Sequence, residues 1–410
     1  SGINEQANVA GTLTGTPFAA LASSFALANG YGQLGLSSKD LTIAQRASDE
    51  EPSDTGQFGV ALKWYAEQLN GTEFGLSFQN IHGRLPLAGG YVSTGSDAQK
   101  AVTYATIMQN TATTMNKSLA IPSEALEVAT AVAGNSTAQA VIAAAGNDKA
   151  TQYIIEFPED QKIIAASFAT LLPTGTAWSG EFTYRPDAPI QINANDVLVR
   201  GLLGNLGYNP NTAGHNNTAH PLYGNLVARL PSEIRELESG VQKGYRELDV
   251  YQFQSTFIHD INRVMAADNL RLIGEIGFTY VNDLPDTSEI RFGRSSVYGS
   301  SGSETEMFAD NGYVTELSWG YRVLAQLEYN NALVGGLTLK PTVSWSHDVS
   351  GYGPEPGSQF YEGRMILGTA LGAEYMNTYF SNLSYTHYFD TDYWDLDDRN
   401  FISLSVGMNY

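Results

Sequence analysis

Two short groups of residues carry the side-chain types of a serine hydrolase triad. Ser346, His347 and Asp348 form one group, and His259 with Asp260 forms the other. Both groups lie in segments that we predict to be β-strands, and neighbouring side chains of a strand point to opposite faces. Ser346 therefore cannot contact His347, nor can His347 contact Asp348. A triad would need partners from adjacent strands, and we expect no enzyme activity.

An acidic stretch near the end of the sequence has the side chains of a cation site. It contains Asp390, Asp392, Asp395, Asp397 and Asp398. Carboxylates at this density suit Ca²⁺ or a divalent bridge to lipopolysaccharide, but the spacing lacks the glycine and the final glutamate of an EF-hand loop. A solvated acidic loop is the simpler interpretation.

The composition excludes several other kinds of chemistry. The 410 residues include no cysteine, which excludes disulfides, thiolate-bound zinc and a cysteine nucleophile. Gly-rich stretches such as 351–357 show no phosphate-binding or dinucleotide-binding pattern, so we expect no cofactor. The net charge of −21, from 22 basic and 43 acidic residues, argues against a nucleic-acid partner.

The chain is short of ordinary solvated surface, because only 16% of its residues are charged, against about 25% in an average soluble protein. Mean hydropathy is nevertheless −0.20. We find no run of 18 uncharged apolar residues, the length that suits a membrane-spanning helix. The apolar residues must therefore be spread over short alternating segments.

The longest alternation runs from Leu317 to Tyr329, where apolar or small residues alternate with mostly polar ones. Its 12 steps measure roughly 40 Å along a strand, enough to cross a bilayer at the usual tilt. Residues 402–410 alternate in the same way and end on an aromatic residue. An extended sheet in lipid must close on itself, because an open edge would leave backbone groups without partners. We predict an all-β fold, an antiparallel transmembrane β-barrel with short helices in an outer loop.

In such a barrel one row of each strand faces lipid and the other faces the lumen. Charged lumen residues either pair across strands or line a wet path, and pairing of Arg322 with Glu275 or Glu362 is the simpler interpretation. The predicted lumen-lining residues are Lys63, Glu181, Arg271, Glu275, Glu316, Arg322, Glu328, Glu362, Arg364 and Glu374. The predicted aromatic girdles at the two membrane interfaces contain Trp64, Trp178, Trp319, Tyr321, Tyr329, Tyr375 and Tyr410.

Short and long connections alternate along the chain, as barrel topology requires. The predicted strands span 56–67, 72–82, 152–171, 176–185, 243–259, 270–282, 314–329, 336–349, 360–375, 379–389 and 400–410. Eleven strands cannot close an antiparallel barrel. Either residues 1–50 contain one further strand, or an odd number of N-terminal strands is missing. We favour the second alternative and expect an even total of 12 to 18 once the missing strands are restored.

The predicted division is a barrel over 51–410 and a preceding segment, 1–50, that is an outer loop, a linker or a remnant of truncated strands. The barrel carries an Ala-rich helical insertion at about 84–150 and a long loop at about 186–241.

Six segments carry more specific patterns, in a fixed order. They are DEEPSDTGQFGVALKWY (49–65), NGTEFGLSFQNIHGRLP (70–86), YIIEFPED (153–160), GEFTYRPDAPIQIN (180–193), LSWGYRVLAQLEYNN (317–331) and SWSHDVSGYGPEPG (344–357). In these segments the chain resembles the proteobacterial outer-membrane proteins grouped as domain-of-unknown-function family 1302. Residues 1–48 and the helical stretch show no such resemblance.

The alternation favours a passive channel in the outer membrane of a Gram-negative bacterium. The resemblance implies an uptake or export protein for hydrophobic or lipid-like small molecules, with a lipid-handling protein and an inner-membrane transporter as partners. Membrane lipid, lipopolysaccharide and the barrel-assembly machinery, which would read the C-terminal strand, are the other expected partners. The alternative is a closed barrel that acts as a structural or receptor protein through its long outer loops.

Overall fold

The computed structural model describes residues 45–93, 107–119, 122–136, 151–205, 208–211, 226–294, 311–357, 360–394 and 398–409. The strands in this part of the chain are β1 (Gln45–Arg46), β2 (Phe58–Ala66), β3 (Thr72–Ile81), β4 (Leu87–Val92), β5 (Gln152–Glu156), β6 (Gln161–Leu171), β7 (Ala177–Gln191), β8 (Gly240–Gln242), β9 (Tyr245–Val264), β10 (Ala267–Val281), β11 (Leu317–Glu328), β12 (Leu337–Ser350), β13 (Met365–Tyr375), β14 (Tyr379–Tyr388) and β15 (Phe401–Met408). They form a sheet of eleven strands and a sheet of four.

The large sheet is an antiparallel meander. Its order is β2-β3-β6-β7-β9-β10-β11-β12-β13-β14-β15, so each strand pairs with the next one of the sheet along the chain. The prediction of eleven strands and of the antiparallel all-β class is confirmed. Alternation locates these strands well because each has one apolar and one polar row.

Several predicted strands are wrong in extent: β7 runs to Gln191 and β9 to Val264, beyond the predicted ends at 185 and 259. The largest error is at 152–171. The segment 152–171 is two strands: β5 belongs to the small sheet and β6 to the large one. The break contains Pro158, which has no N–H to donate to a ladder, and Asp160, whose φ is 52°. The prediction read the apolar residues on both sides of this break as one run.

Short connections join the strands at one end of the large sheet, here called the turn end. The tightest joins β9 to β10 through Met265 and Ala266, whose φ angles are 54° and 61°. Two positive φ angles in a two-residue loop define a type I′ turn, a geometry that Asn-Gly adopts far more readily than Met-Ala.

We expect the double substitution Met265→Asn with Ala266→Gly to stabilise the protein by about 1–2 kcal/mol, because it relieves two side chains held in the left-handed region. Thermal unfolding in detergent, followed by circular dichroism, measures the gain. The matched control is Gly71→Ala in the β2–β3 connection, at φ 71°. That change should lower the melting temperature, and a gain for both variants would contradict the explanation.

The opposite end of the large sheet, here called the cap end, carries the longer connections, which fold into a second unit. This cap consists of the small sheet, ordered β1-β5-β4-β8, and the helices α2 (Ala194–Asn205), α3 (Leu226–Arg229) and α4 (Ser232–Arg235). The segments that hold β4 and α2, predicted to be parts of loops, are folded elements of the cap. Residues 45–50, predicted as part of a preceding segment, also pair with the small sheet; residues 1–44 lie outside the described residues.

The cap has its own hydrophobic core, which extends onto the ends of β7, β9 and β10. The residues of this core are Val92, Ala188, Ile190, Ile192, Val197, Val199, Leu203, Tyr208, Val227, Leu230, Ile234, Val250, Val281, Ile290, Phe292 and Val314. The cap is therefore packed onto the large sheet rather than suspended above it.

The segment predicted as a helical insertion contains helices where the structure describes it. Helix α1 spans Pro122–Ala133, and residues 107–115 are also helical. Met108, Ala112, Val128 and Val132 form a small core between them. No helix in the described residues is long and apolar enough to span a membrane.

Candidate functional site

The strand register sorts the side chains of the large sheet onto two unlike faces. Between β10 and β11, Leu272 lies opposite Ala325 and Phe278 opposite Trp319, whereas Glu275 lies opposite Arg322. The same sorting continues across β9, β12, β13, β14 and β15. We call these the apolar face and the polar face.

The apolar face is uncovered. Leu62 on β2, Val323 on β11 and Val406 on β15 are 65%, 46% and 75% exposed. None of the residues in the two buried hydrophobic clusters of the described chain belongs to this face. The apolar rows therefore do not pack against a second layer, as they would in a soluble β-sandwich.

The polar face gathers most of the predicted lumen-lining residues. Those on its strands are Lys63, Glu181, Arg271, Glu275, Arg322, Glu328 and Glu374. Arg322 Nη1 lies 4.0 Å from Glu275 Oε1, which agrees with the pairing considered from the sequence. These charges lie mostly in pairs, so the face is polar without a strong excess of unpaired charge.

Several partners in these pairs were not predicted. Arg271 forms a two-pronged ion pair with Asp260, at 2.9 and 3.1 Å. Lys63 pairs with Glu73 at 2.8 Å, and Lys340 pairs with Glu374 at 3.4 Å. The cross-strand register would have predicted the pair of Arg271 and Asp260. Once the β9–β10 turn is located, the register places Asp260 directly opposite Arg271.

Three predicted lumen residues lie outside the strands. Glu316 accepts a hydrogen bond of 2.8 Å from the hydroxyl of Tyr280, a residue of the apolar face. Glu362 accepts the N–H of Gly351 within the β12–β13 connection. Arg364 binds Asp348 at 2.5 Å. Glu316 thus bonds to a residue of the apolar face rather than to one of the polar face. Glu362 and Arg364 form bonds that hold the β12–β13 loop in place.

The described residues of that loop, 351–357 and 360–364, fold over the polar face. The ring of Phe360 is 7% exposed and lies against Gly277 on β10, where an added Cβ would be 3.3 Å from the ring. Arg364 and the N–H of Tyr361 both bind the carboxylate of Asp348 on β12, which ties the loop down. Phe360 therefore covers part of the polar face near the cap end, and no pattern in the sequence indicated this inward fold.

Nearer the turn end the polar face is more open. A pocket of about 250 Å³ lies over β3, β6, β7 and β9. Its floor includes Gly75, Ser167 and Ser179, and its walls include Glu73 and Glu181. This space exists because residues with small side chains face each other across neighbouring strands. Gly75, for example, lies directly opposite Ser167.

A second pocket, of about 220 Å³, lies between the polar face and the cap. We call it the mouth pocket. Ile81, Arg185 and Val250 reach it from the large sheet, and Leu87 reaches it from the cap. Residues 354–356 close another side, and the backbone carbonyl of Glu355 accepts the N–H of Gln191 at 3.1 Å.

The cap is held by a buried ion pair that sequence reasoning missed. Arg291 donates to Asp196 at 2.8 and 2.6 Å, and both side chains are 2% exposed. Asn193 accepts the N–H of Asp196 at 3.1 Å, which satisfies the start of α2. The sequence does carry a signal for the start of this helix, since Asn193 directly precedes it and Asp196 lies in its first turn.

The predicted aromatic girdle residues lie mainly on the apolar face. Trp178 stacks on Phe257 near the turn end, and Trp319 stacks on Phe278 nearer the cap end. Trp64, Tyr321 and Tyr375 belong to the same face. Tyr329 lies just beyond β11, where its hydroxyl donates to Met265 at 3.2 Å. Tyr410 lies outside the described residues.

Neither the acidic stretch nor the triad residues form a reactive cluster among the described residues. Asp395 and Asp397 lie outside them, and the described acids and histidines form no group of three or more that could hold a metal ion. His347 contacts Tyr321 on the apolar face, while Ser346 lies on the polar face opposite Arg322. His259 contacts the hydroxyl of Thr176 at 3.0 Å.

One carboxyl group of the cap is buried without an ionic partner. Glu156 on β5 is 3% exposed and accepts the N–H of Gly244 at 3.1 Å through one oxygen. Its other oxygen has no hydrogen-bond partner among the described residues. Burial raises the pKa of the Glu156 carboxyl, although the N–H of Gly244 opposes the rise.

This arrangement makes native stability depend on pH. Below 4.5, the ordinary pKa, both folded and unfolded chains keep the proton, so the buried carboxyl costs little. As pH rises, the unfolded chain loses the proton first, and stability falls until pH passes the raised pKa. We expect Glu156→Gln to stabilise the protein at pH 7 by about 1 kcal/mol and to remove this pH dependence.

Chemical unfolding of both proteins at pH 4 and pH 7 measures the difference. Glu159→Gln is the matched control, since Glu159 is exposed and lies three residues away. Equal pH dependence in wild type and Glu156→Gln would contradict the assignment.

The fold defines the chain as an all-β protein with one large antiparallel meander sheet and a folded cap. A family model described as protein of unknown function (DUF1302) matches residues 4–410, nearly the whole chain. The chain belongs to this family. The match confirms the resemblance seen in the six segments and extends it through the first residues and the helical stretch, where the sequence alone showed none. No curated protein matches the chain.

Proposed function

We propose that the chain is a passive outer-membrane channel, in which the large sheet closes into a transmembrane β-barrel. The observation that carries the proposal is the contrast between the faces. One is apolar and uncovered, and the other is polar, internally paired and partly covered by the cap and by Phe360. A membrane barrel with a wet interior requires this contrast.

Closure needs strands from outside the described residues. Pairing is antiparallel throughout the large sheet, so β2 and β15, at its two edges, run in the same direction. Direct pairing of these edges would be parallel, whereas bacterial barrels close with an even number of antiparallel strands. One further strand, or any odd number, satisfies the rule. Both edge strands are exposed along nearly their whole length, as strands awaiting partners would be.

The connections suggest the orientation. Bacterial barrels place short turns in the periplasm and long loops outside the cell. The turn end would therefore face the periplasm, and the cap and the mouth pocket would face the exterior. Cargo would pass the cap, then Phe360, and then the open part of the polar face over Gly75 and Ser167.

The cargo that we propose is hydrophobic or lipid-like, with a lipid-handling protein and an inner-membrane transporter as partners, as expected from the resemblance noted in the sequence. The apolar side chains of the mouth pocket, such as Leu87 and Val250, suit such a cargo better than a sugar or an ion. Membrane lipid, lipopolysaccharide and the assembly machinery are the partners that any outer-membrane barrel requires.

Reconstitution tests the channel directly. The full chain in phosphatidylcholine liposomes should conduct ions and admit a hydrophobic dye to an entrapped acceptor faster than empty liposomes do. Correctly inserted protein that shows neither conductance nor uptake would refute the proposal. Protease digestion of the cap from outside the liposome reports insertion independently.

The folded cap favours a second candidate, a closed barrel that serves as a structural protein or receptor. A cap with its own core and the buried Asp196–Arg291 pair presents a rigid outer surface, as a receptor needs. Removing residues 107–136 separates the candidates. A receptor would lose partner or phage binding, whereas a channel would keep or gain permeability.

A further inference from the structure

The mouth pocket is lined by two arginines that form no ion pair with any described residue. Arg185 stands on the polar face of β7, just before the irregularity in its pairing with β9. Its Nη2 donates to Gln161 Oε1 at 3.2 Å, and its Nε is buried without a hydrogen bond. Arg84 is exposed and has neither a hydrogen bond nor an ion pair with any residue that the structure describes.

The chain has 43 acidic and 22 basic residues. Six other arginines of the described chain form an ion pair with a carboxylate: Arg46, Arg246, Arg271, Arg291, Arg322 and Arg364. Two arginines that line one pocket and form no ion pair with the described residues leave donors for an anion that is not part of the chain.

The other polar groups of the pocket do not compete for this role. His82 accepts the N–H of Asp160 through Nδ1 at 3.1 Å and bonds the carbonyl of Thr55 through Nε2 at 2.7 Å, so both ring nitrogens are used. The Glu355 side chain lies against Gly293 in the cap, with its Cγ 3.6 Å from the place of an added Cβ. The arginines are thus the groups that remain for a ligand.

The rest of the lining is apolar. Leu87, Ile190 and Val250 are each 1% exposed, and the rings of Pro354 and Pro356 add further apolar surface. At about 220 Å³ the pocket is smaller than most sites that enclose a whole drug-sized molecule. It has room for an anionic head and the first carbons of a chain, with the remainder extending out of the pocket.

Building on the proposed function, we infer that the mouth pocket binds the head of a single-chain amphiphile with one carboxylate, and that this selects the cargo. A carboxylate can accept from the N–H groups of the Arg185 guanidinium that Gln161 does not use, and the adjoining methylenes fit the proline and aliphatic walls. The pocket lies where the cap meets the polar face, so an entering molecule would contact it before it reaches the rest of the polar face.

Binding of sodium octanoate to the intact protein in phosphatidylcholine nanodiscs, measured by titration calorimetry, tests this. Octanoate should bind more tightly than 1-octanol, which lacks the charge, and than acetate, which lacks the chain. Octyl phosphate distinguishes a general anion site from a carboxylate site: tighter binding of the phosphate would overturn the carboxylate assignment.

Arg84→Gln combined with Arg185→Gln should weaken octanoate binding at least tenfold and change octanol binding less than twofold. Arg84→Gln alone changes an exposed side chain, so it preserves the fold and should weaken binding severalfold. Arg46→Gln, an exposed arginine of the small sheet, is the matched control and should change nothing. Equal octanoate affinity in wild type and the double variant would overturn the inference.

The outcomes separate the two proposals. If octanoate binds more tightly than 1-octanol but the protein shows neither conductance nor uptake, the binding site in the mouth pocket is supported and the channel is refuted. Conductance and uptake without octanoate binding would sustain the channel and refute the pocket.

Discussion

Leu371→Lys will destabilise the membrane-inserted protein by about 2–4 kcal/mol, whereas Ala370→Lys will cost less than about 1 kcal/mol. The two residues are neighbours near the middle of β13, but they point to opposite faces. Leu371 is 45% exposed on the apolar face, opposite Pro341 and Leu383. Ala370 lies on the polar face, opposite Thr342 and Ser384.

The physical reason is the environment that the proposed barrel gives each face. A lysine at position 371 would place its ammonium group in hydrocarbon, where no water solvates it. A lysine at position 370 would meet hydroxyl groups and, in an open lumen, water. Equilibrium unfolding by guanidinium in phosphatidylcholine vesicles measures both. Equal and small effects at the two positions would mean that lipid does not contact the apolar face.

Phe360→Ala will raise ion conductance of the reconstituted protein at least threefold. The buried ring lies across the polar face beside Gly277, so its removal widens the proposed conduit where the loop narrows it. Single-channel recording in planar bilayers measures the change, and dye uptake into liposomes should rise in parallel.

Phe389→Ala is the matched control for this prediction. Phe389 follows β14 at the same end of the sheet but packs on Trp345, a residue of the apolar face. It should leave conductance unchanged. Because Phe360→Ala also removes a buried ring, circular dichroism must show that the variant keeps its strands. A folded variant with wild-type conductance would place the conduit elsewhere or favour the closed barrel.

The large sheet could be predicted from the sequence because its strands face two different surroundings. Each strand shows its own alternation, such as the apolar odd positions and polar even positions of 317–329. Each strand also pairs with the next strand of the sheet along the chain. Local alternation and short turns were therefore sufficient to find eleven strands.

The cap could not be predicted in the same way. Its strands are short, and β4, LAGGYV, shows no clear alternation. Its pairings join distant segments, such as Gln45 with Gln152, which no local pattern encodes. The buried pair of Asp196 and Arg291 spans a similar separation.

For the candidate site, the sequence predicts which face of the sheet a side chain lies on, but not which residue that side chain contacts. Alternation placed Arg322 and Glu275 on one face, and the structure brings them together. Asp260 has the side-chain type of a triad residue, but its partner is Arg271, because the register of β9 and β10 decides which side chains meet. Phe360 was missed because the inward fold of its loop depends on tertiary contacts with Gly277 and Asp348.

A nitroxide scan of β11 tests the central claim most directly, and the absence of cysteine from the chain makes single-site labelling clean. Single cysteine substitutions at each position from 317 to 328 would be labelled and reconstituted in phosphatidylcholine vesicles, and collisions with lipid-soluble oxygen and a water-soluble nickel chelate would be measured. We predict that oxygen contact peaks at the odd positions and chelate contact at the even ones, with a period of two. Chelate contact at the odd positions, or profiles without alternation, would contradict the assignment of one face to lipid and the other to a water-filled interior.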